Sequence, residues 1–589
     1  MCGLVGYIGS KQRAIEVLFA GLEHLEYRGY DSAGIAYFEN NKLIIKKEVG
    51  RIRQLKATVD LDIKTNIGIG HTRWATHGRP TKNNSHPHNY KDITIVHNGI
   101  IENYLELKKH LEAKGYKFKT DTDTEVAAIL LYDLYKSTND VLKAIQRFKT
   151  KVDGSYAIGI ICRKEPDTLY AIKKNSPLII GLGADENYLA SDIFAISNYT
   201  DKYIVLNDGD YAKLQSDKVI IFNDKNMVVD YAVKTYNFGD EVISKNNHEH
   251  YMLKEIYEEA EVVKKTADIR TIPDLSHYKQ IVIVACGSAM HAGLVGKYLI
   301  ENYGNIPVSV EMASEFRYQK QFLDEHTVVI AISQSGETAD TLEAVKIARK
   351  HHVRVVGIIN VKESSIAREV DDVIYTEAGR EIAVATTKAY VSQVEVLAML
   401  ACKLSKAQKQ IDEFYDNLKK IPVLIQEVIA NEDKFKEIAQ VIYNEKDIFY
   451  IGRGIDYALC MEGSLKLKEI SYIHSEAYPA GELKHGTISL IESGTPVVGI
   501  VTDETIASKT ISNLKEVKAR GAYVIYITSK NLYLEGDFYD DVILLPETLP
   551  ILKPLITVIP LQLIAYYTAK LNKCDIDNPK NLAKSVTVE

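Results

Sequence analysis

The chain has 589 residues, of which 46% are hydrophobic and 26% are charged, the balance of an ordinary globular protein with several domains. Its formal net charge of −7 excludes the strongly basic surface that attracts nucleic acids or anionic membranes. Six scattered cysteines without a C-x-x-C pair predict neither a zinc site nor a disulfide framework.

The apolar runs of the chain predict no targeting or membrane segment. The first residues lack the basic-then-apolar pattern of a secretory signal. The longest uncharged run, 554–569, is shorter than the ~20 residues of a membrane span and contains Pro560, so we expect a buried helix there. We therefore predict a cytoplasmic protein with neither a membrane nor a nucleic-acid partner.

Cys2 is the residue on which the functional interpretation depends. If Met1 is removed, Cys2 carries a thiol and a free α-amine, and the amine pKa of roughly 7.7–8.0 leaves a useful fraction unprotonated near neutral pH. Such an amine can activate the adjacent thiol without a distant histidine. While Met1 remains, that nitrogen is a peptide nitrogen and Cys2 should be nearly inert. The alternative is that Cys2 is a small apolar residue at the start of a buried strand.

The first 240 residues alternate short strands with amphipathic helices. Apolar spacing predicts helices at 13–26, 101–114 and 124–135. It predicts strands at 4–8, 35–38, 42–48, 65–70, 93–97, 157–162 and 168–173. This density of strands, with helices between them, predicts a sandwiched α/β or α+β domain.

Two loops in this region carry residues suited to catalysis. The loop H-T-R-W-A-T-H-G, 71–78, contains Trp74, the only tryptophan. In H-N-G-I-I-E-N, 97–103, we expect a strand to end at Asn98 and Gly99 and a helix to begin. Asn98 can offer amide hydrogens and Gly99 a closely approaching backbone N–H, as an oxyanion site requires. A plain Asn-Gly turn is the alternative, just as helix capping is for D-T-D-T-E at 121–125.

These motifs together resemble the glutaminase domain of the amino-terminal-nucleophile amidotransferases. They are M-C-G-L-V-G-Y-I-G, E-Y-R-G-Y-D-S-A-G, the two loops above and D-T-D-T-E, in the order and spacing of that family. The resemblance implies a four-layer αββα sandwich in which Cys2 attacks the glutamine carboxamide with its own α-amine as base. It implies the following further roles: Asn98 and Gly99 as the oxyanion hole, Arg73 for the glutamine α-carboxylate, Asp123 for its α-amine, Thr76 and His77 in its pocket, and Trp74 as the gate for ammonia.

The second half of the chain follows a linker and contains a repeat. We expect residues 241–275 to be a linker, helical at 248–263; His248 and His250 do not share a helix face, which argues against a metal site. The repeats, 280–405 and 445–572, each begin with an apolar strand that ends in glycine and is followed by a helix. The predicted strands are 281–285, 327–332 and 354–359 in the first repeat, and 448–451, 496–501 and 523–528 in the second. The pattern predicts an internal duplication of doubly wound parallel sheets with helices on both faces.

In the first repeat, the segment S-Q-S-G-E-T at 333–338 follows a strand and precedes a helix. Its hydroxyl and amide donors lie where the helix N-terminus attracts anions, at the carboxyl end of a parallel sheet. Ser288 and Thr386 lie at two further element ends. We therefore favour a phosphosugar site over helix capping, and no Walker lysine pattern points to a nucleotide.

In the second repeat, Glu462, Lys466 and Glu469 are spaced to share one helix face. A buried Lys–Glu pair there could move protons, whereas an exposed helical salt bridge is the commoner alternative. His485 follows in a Gly-flanked loop and suits acid–base chemistry near neutral pH.

The two repeats and the tail D-x-P-x-N-L-A-K-S-V-T-V-E, 577–589, resemble the tandem sugar-isomerase domains of the isomerising glutamine–fructose-6-phosphate aminotransferases, also called glucosamine-6-phosphate synthases. The match covers essentially the whole chain. It implies a glutaminase domain at 2–240, the linker at 241–275, sugar-isomerase domains at 276–415 and 438–575, and a catalytic tail at 576–589.

This resemblance also implies residue roles in the sugar site. Glu469 moves a proton between sugar carbons 1 and 2, Lys466 assists at the oxygen, and Lys584 forms an imine with the opened sugar. His485 opens the sugar ring and acts across subunits of a homodimer. The residues implied to bind the sugar phosphate are Ser288, Ser333, Gln334, Ser335, Thr338, Val384 and Thr386. Ala289, where a second serine is common, removes one sugar contact.

The family resemblance implies an enzyme with two sites. Glutamine is hydrolysed at Cys2, and the ammonia passes to fructose 6-phosphate to give glucosamine 6-phosphate and glutamate, the first step of hexosamine synthesis. One alternative is another amidotransferase, such as that of the purine pathway, against which the sugar-isomerase repeats argue. The other is a phosphosugar-sensing regulator, which would not need Glu469, His485 or Lys584 intact.

Overall fold

A computed structural model describes residues 2–75, 77–236 and 245–587. The chain forms two compact units, one of Met1–Val242 with Ser585–Glu589 and the other of Ile243–Lys584. We refer to them as the amino-terminal unit and the carboxy-terminal unit.

The amino-terminal unit is mainly antiparallel β-structure. Its strands are β1 Gly3–Gly9, β2 Ser32–Glu39, β3 Lys42–Val49, β4 Ile67–Arg73, β5 His88–Tyr90, β6 Ile93–Ile101, β7 Gly154–Cys162, β8 Glu165–Lys174, β9 Ile179–Leu182, β10 Glu186–Ala190, β11 Lys202–Val205, β12 Tyr211–Leu214, β13 Val219–Phe222, β14 Val228–Val229 and β15 Lys234–Thr235. Its helices are α1 Ala14–His24, α2 Ile52–Lys56, α3 Tyr104–Ala113, α4 Asp123–Thr138 and α5 Val141–Lys149, with 3₁₀ turns at Glu26–Arg28 and Ile193–Ile196.

Two stacked sheets with helices on their outer faces give this unit four layers. One sheet has the order β15-β11-β9-β10-β1-β4-β2-β3 and the other the order β14-β13-β12-β8-β7-β6-β5. Side chains alternate along β1, so Leu4 joins the core between the sheets while Val5 joins the core beneath α1. A third core lies between the second sheet and helices α4 and α5. The expected αββα sandwich is confirmed.

Strand β6 departs from the expectation for the region around Asn98. The predicted strand end at Asn98-Gly99 and helix start at 101 are wrong, because the ladder with β7 continues to the pair Ile101 and Gly154. Helix α3 begins only at Tyr104. Asn98 and Gly99 are therefore held by inter-strand hydrogen bonds, which fix their positions more firmly than a turn would.

The carboxy-terminal unit alternates helices with parallel strands. Its strands are β16 Gln280–Ala285, β17 Val308–Met312, β18 Thr327–Ser333, β19 Arg354–Ile359, β20 Asp372–Tyr375, β21 Asp447–Gly452, β22 His474–Pro479, β23 Pro496–Val501, β24 Tyr523–Ser529 and β25 Asp541–Leu545. Its helices are α6 Tyr251–Tyr257, α7 Glu259–Thr266, α8 Gly287–Leu299, α9 Ala313–Phe316, α10 Ala339–Lys350, α11 Ser365–Glu369, α12 Lys388–Leu404, α13 Gln408–Leu418, α14 Ile421–Ile429, α15 Glu432–Ile442, α16 Ile455–Ser471, α17 Ala507–Lys518 and α18 Lys553–Leu571. Short 3₁₀ or π turns lie at Ile300–Gly304, Leu483–His485, Thr487–Leu490, Lys530–Leu532 and Pro550–Leu552.

The predicted duplication is visible in the strand order. The two five-stranded sheets have the orders β17-β16-β18-β19-β20 and β22-β21-β23-β24-β25, which are equivalent, and all their strand pairs are parallel. In each repeat the first strand lies second from the edge. A single core that includes Ile281, Leu397, Tyr450 and Leu561 joins the repeats.

Helix α18 is the predicted buried helix. Among the described residues, the segment Pro550–Leu571 is the one helical stretch long and apolar enough to cross a membrane, and its apolar window is entirely buried in the protein. Its surroundings are those of a core helix, because protein side chains already cover every face.

Candidate active sites in the two units

Cys2 lies immediately before β1, beside the end of β4. Pairing of Gly3 with Thr72 brings the residues that follow β4 next to it. The Cys2 Sγ accepts a hydrogen bond from the Trp74 N–H at 3.3 Å and donates to the Trp74 carbonyl at 3.6 Å. Burial raises the pKa of the Cys2 thiol, against the opposing effects of the Trp74 N–H and the Arg73 cation. The thiol is therefore neutral as it stands and needs a base to react.

Asn98 and Gly99 lie on β6 beside the nucleophile. The Asn98 Nδ2 donates to the Cys2 carbonyl at 3.0 Å, and because a carboxamide nitrogen carries two hydrogens, the second is available for another acceptor. Gly99 has a φ of +128°, and a Cβ at this position would lie 2.0 Å from the Ser155 carbonyl oxygen. Only glycine fits there, so the backbone N–H can be presented where a side chain would prevent it.

Arg73 and Asp123 organise the chain around this nucleophile. The Arg73 guanidinium donates to the carbonyl oxygens of His77, Gly78 (3.0 Å) and Arg79 (3.5 Å), which shapes the loop after β4. Asp123 is the first residue of α4 and accepts from the Ile101 N–H at 2.8 Å. Both side chains are nearly fully buried, so a substrate carboxylate or amine that reached them would be bound in a weakly screened environment.

Aromatic contacts hold the remaining loop residues. Trp74 packs edge to face against Tyr30, with ring centroids 5.8 Å apart. His77 packs in the same way against Tyr104 at 5.2 Å. The predicted glutamine contact Thr76 lies outside the described residues.

In the carboxy-terminal unit, the loop 333–338 joins β18 to α10. The Ser333 and Thr338 hydroxyls lie 3.1 Å apart, and the Ser333 Oγ accepts from the Gly336 N–H at 3.0 Å. Gly336 has a φ of +64°, and a Cβ would lie 1.9 Å from the Ser364 hydroxyl. The loop therefore gathers hydroxyl groups at the start of α10, as an anion site requires, and Gln334 and Ser335 belong to the same turn.

Glu462, Lys466 and Glu469 form a buried charge cluster on α16. The Lys466 Nζ lies 2.5 Å from Glu469 and 3.6 Å from Glu462. The Lys466 side chain is only 1% exposed, so the alternative of a solvated surface pair is wrong. From the first repeat, Ser288 donates to Glu462 at 2.8 Å and His291 bonds it at 2.9 Å. Ser288 thus contacts the second repeat through this carboxylate.

Lys584 lies against the segment that precedes α12. Its ammonium forms an ion pair with Glu381, which also accepts from the Thr386 hydroxyl. The Val384 N–H donates to the Asp577 carbonyl at 3.0 Å, which fastens the start of the tail to the same segment. Lys584 and Thr386 therefore share the Glu381 carboxylate, and Val384 contacts the start of the tail that carries Lys584.

Comparisons with known proteins agree with this arrangement. A glutamine amidotransferase domain model matches residues 71–198, and a SIS domain model matches residues 274–403 and again 441–571. The chain is 48% identical to the glutamine--fructose-6-phosphate aminotransferase (isomerizing) of Caldanaerobacter subterraneus subsp. tengcongensis and 46% identical to that of Clostridium tetani, with 100% of each chain covered.

The chain belongs to the isomerizing glutamine--fructose-6-phosphate aminotransferase family.

A solved structure extends the agreement to the fold. The C-terminal domain of glucosamine-fructose-6-phosphate aminotransferase from Francisella tularensis is 40% identical, with a TM-score of 0.55 over 57% of this chain and 100% of that one. The family predicted from the sequence is confirmed, with its pairing of one amidotransferase domain and two SIS domains.

His485 is the predicted sugar-site residue that lies apart from the others. His485 ends a short 3₁₀ turn, and its side chain is exposed. Within the described part of the chain, the imidazole makes no hydrogen bond or ion pair.

A group of buried histidines, which no motif in the sequence indicates, lies behind the Cys2 site. The His71 Nε2 lies 2.9 Å from the His97 carbonyl, and the His71 and His86 rings stack at 4.0 Å. Burial lowers the pKa of all of them, that of His71 to about 3, so they are neutral supports of β4 and β6. The described residues contain no cluster of His, Cys, Asp or Glu side chains that could hold a metal ion.

The other residue that was missed is Glu381, the partner of Lys584. It lies 203 positions before Lys584 in the chain, in an irregular segment. No periodic pattern marks it, and only the folded tail shows that the two side chains meet.

Proposed function

We propose that this protein hydrolyses glutamine at Cys2 and uses the ammonia to convert fructose 6-phosphate into glucosamine 6-phosphate, releasing glutamate. The observation that carries the proposal is full-length identity of 48% to a family member combined with an intact nucleophile in each unit. It is an aminotransferase of the amidotransferase type, acts in the first step of hexosamine synthesis, and works in the cytoplasm without a metal or an organic cofactor.

In the amino-terminal unit, the reaction is acyl transfer through a thioester. With Met1 removed, the α-amine of Cys2 takes the thiol proton, and the thiolate attacks the glutamine carboxamide carbon. The second Asn98 amide hydrogen and the Gly99 N–H stabilise the oxyanion of the tetrahedral intermediate. The protonated amine returns the proton to the leaving nitrogen, ammonia departs, and water hydrolyses the thioester to glutamate.

Substrate contacts in this unit follow from the charges around Cys2. Arg73 binds the glutamine α-carboxylate and Asp123 binds its α-amine, because a buried guanidinium and a buried carboxylate are complementary to these groups. Thr76 and His77 line the pocket. Trp74 gates the exit of ammonia, which would mostly become protonated in bulk water near neutral pH.

In the carboxy-terminal unit, the reaction is imine formation followed by proton transfer. His485 of a partner subunit in a homodimer opens the sugar ring, and the Lys584 amine attacks the ketone carbon. Ammonia then adds to the imine carbon and releases the Lys584 amine, and Glu469 moves a proton from carbon 1 to carbon 2 of the new imine while Lys466 assists at the oxygen. The hydroxyl groups that bind the sugar and its phosphate are those of Ser288, Ser333, Ser335, Thr338 and Thr386, with the Gln334 amide and the Val384 backbone beside them.

The domain limits proposed for this activity are those of the sequence analysis. The glutaminase domain is 2–240, the linker 241–275, the isomerase domains 276–415 and 438–575, and the catalytic tail 576–589. Ammonia released at Cys2 has to reach the sugar site, and it would be wasted if no sugar phosphate were bound there. We therefore expect glutamine hydrolysis to be slow until the sugar phosphate binds.

The test is incubation of the purified protein with glutamine and fructose 6-phosphate, with glutamate and hexosamine phosphate measured together. We expect the two products in equal amounts and faster glutamate release when sugar phosphate is present. Glutamate without hexosamine phosphate would favour a different amidotransferase, and neither product would favour a sensor protein. Mass measurement of the amino terminus completes the test, because an active protein that retains Met1 would exclude the α-amine as base.

A further inference from the structure

The segment between β20 and α12 places one carboxylate, Glu381, at the start of α12. Its side chain is 0% exposed. The Oε1 accepts from the backbone N–H groups of Thr387 at 2.9 Å and Ala389 at 3.1 Å. The Oε2 accepts from the Thr386 hydroxyl and from Lys584. One oxygen therefore fixes the carboxylate to the helix N-terminus, and the other is directed at the Lys584 amine.

Glu381 is ionised, and Lys584 is its counter-charge. Burial alone would raise the pKa of Glu381, but Lys584 and the hydrogen bonds hold it well below its usual range. An ionised carboxylate without a partner in a buried site is strongly unfavourable. The site therefore requires a cation at the position of the Lys584 nitrogen.

Other charged groups near Glu381 do not take over this role. Glu255 on α6 accepts from the Ile382 and Ala383 N–H groups, and burial together with the Glu381 charge raises its pKa to about 8, so it is neutral at pH 7. Glu259 on α7 is also kept neutral, because burial raises its pKa. Two lysines also interact electrostatically with this group of carboxyls, and both are paired elsewhere: Lys388 with Glu258 at 2.9 Å and Lys466 with Glu469 at 2.5 Å.

We propose that Glu381 is the positioning residue for Lys584, holding its nitrogen at the sugar site as an ammonium before reaction and as a protonated imine after it. This inference rests on the proposed imine role of Lys584. Nothing else on the described segment supplies a fixed negative charge at that nitrogen.

Imine formation at the Lys584 nitrogen takes place opposite the Glu381 carboxylate. The Lys584 ammonium loses one proton to solvent, and the nitrogen lone pair forms a bond to the ketone carbon as the carbonyl electrons move to oxygen. The carbinolamine takes one proton back from solvent and loses water to give the protonated imine, whose nitrogen is again a cation opposite Glu381. The Lys584 nitrogen is a cation both as the ammonium before reaction and as the protonated imine after it. Glu381 can therefore form an ion pair with this nitrogen in both states.

The experiment is borohydride trapping of fructose 6-phosphate on the full-length protein over a range of pH, with the adduct located at Lys584 by peptide mass. E381Q keeps an oxygen for the Thr387 and Ala389 N–H groups but removes the charge. We expect roughly 10- to 100-fold less trapping for E381Q and a profile shifted to lower pH, because the ammonium loses its counter-ion. E377Q is the matched control, since Glu377 lies in the same segment and pairs only with exposed Lys362 at 3.3 Å.

A second variant separates positioning from folding. E381D keeps the charge but withdraws it from the nitrogen, so we expect less trapping with an unshifted pH profile. Trapping by E381Q equal to that of wild type, or equal losses in E381Q and E381D with unshifted profiles, would overturn the inference. Failure of the wild-type protein to trap sugar at Lys584 would instead overturn the proposed role of Lys584 itself.

Discussion

The two units bury ionisable groups of opposite kinds. Behind the Cys2 site, the amino-terminal unit buries four histidines whose pKa values are lowered by burial: His71, His86, His88 and His97. The carboxy-terminal unit buries carboxyls whose pKa values are raised by burial: Glu255, Glu259, Glu395 and Asp456. Burial favours the uncharged form of each of these groups, whereas the buried ion pairs Lys466–Glu469 and Lys584–Glu381 lie in the same carboxy-terminal unit.

The nucleophiles differ in the way they are restrained. The Cys2 thiol hydrogen-bonds to the main-chain N–H and carbonyl of Trp74, and in the proposed mechanism its base is the α-amine of Cys2 itself. The Lys584 amine forms an ion pair with the side-chain carboxylate of Glu381. In the proposed mechanism, the first site gains reactivity when Met1 is removed and the second when the sugar phosphate binds.

The largest expected effect separates the two chemistries. C2A should lower glutamine-dependent product formation by at least about 10³-fold, because the nucleophile is lost. Product formation with ammonia supplied directly should be unchanged, because the carboxy-terminal unit keeps its residues. Both rates are measured by hexosamine phosphate released, with C574S as the control for loss of a thiol. Retained glutamine-dependent activity in C2A would contradict the role of Cys2 as the nucleophile.

The next effect tests the buried charges of the carboxy-terminal unit. K466M should lower the free energy of unfolding by about 3–5 kcal/mol, because it leaves the Glu462 and Glu469 carboxylates without their common cation. K468M, on the exposed face of the same helix, should change it by less than about 0.5 kcal/mol. Chemical denaturation of the full chain measures both, and equal stability of the two variants would contradict the structural importance of this cluster.

A smaller effect tests the main-chain geometry of the amino-terminal unit. G99A should reduce glutamine hydrolysis by roughly 10²-fold, because a Cβ would meet the Ser155 carbonyl at 2.0 Å and displace an oxyanion donor. G115A is the matched control, because Gly115 also has a positive φ, of +86°, but has nothing within 4 Å of the added Cβ. Similar losses in the two variants would mean that backbone strain, and not the approach to Ser155, is responsible.

The smallest effect is a difference in pH dependence. The histidines have lowered pKa values in the folded state, so their contribution to stability is present above about pH 6.5 and is lost as the pH falls. Glu255 has its pKa raised to about 8, so its contribution is present below about pH 4.5 and is lost as the pH rises towards 8.

Hydrogen exchange of the full chain should therefore show the amino-terminal unit opening more on acidification and the carboxy-terminal unit more at higher pH. E255Q should become more stable than wild type by of the order of 2 kcal/mol between these pH limits. Parallel pH profiles for wild type and E255Q would mean that Glu255 is already ionised in the folded protein.

The sequence predicted the elements with regular apolar spacing well. Strands such as β19 and β23 have the expected bounds, because short runs of β-branched residues bordered by polar ones have few alternatives. The extension of β6 to Ile101 was missed, because Asn and Gly signal a turn unless a partner strand continues the ladder.

The candidate sites were predictable only where a motif carries the chemistry. Cys2 and Lys584 were found through the family resemblance, and the structure gives each its local partners. Glu381 and His71 were not found, because their importance depends on contacts between distant segments and on burial. Neither property leaves a local pattern in the chain.

Asp577 has a consequence for how the protein is made. Its carboxylate accepts from the Tyr251 and Met252 N–H groups at 3.0 Å, so the start of α6 is capped by a residue more than 300 positions later. A ribosome releases α6 and residues 1–242 of the amino-terminal unit long before it synthesises Asp577 and the residues Ser585–Glu589 that complete that unit. The carboxy-terminal unit acquires this cap, and Lys584 after it, only when translation is almost finished. A nascent chain cut short before its tail therefore lacks Lys584, the proposed nucleophile of the sugar site.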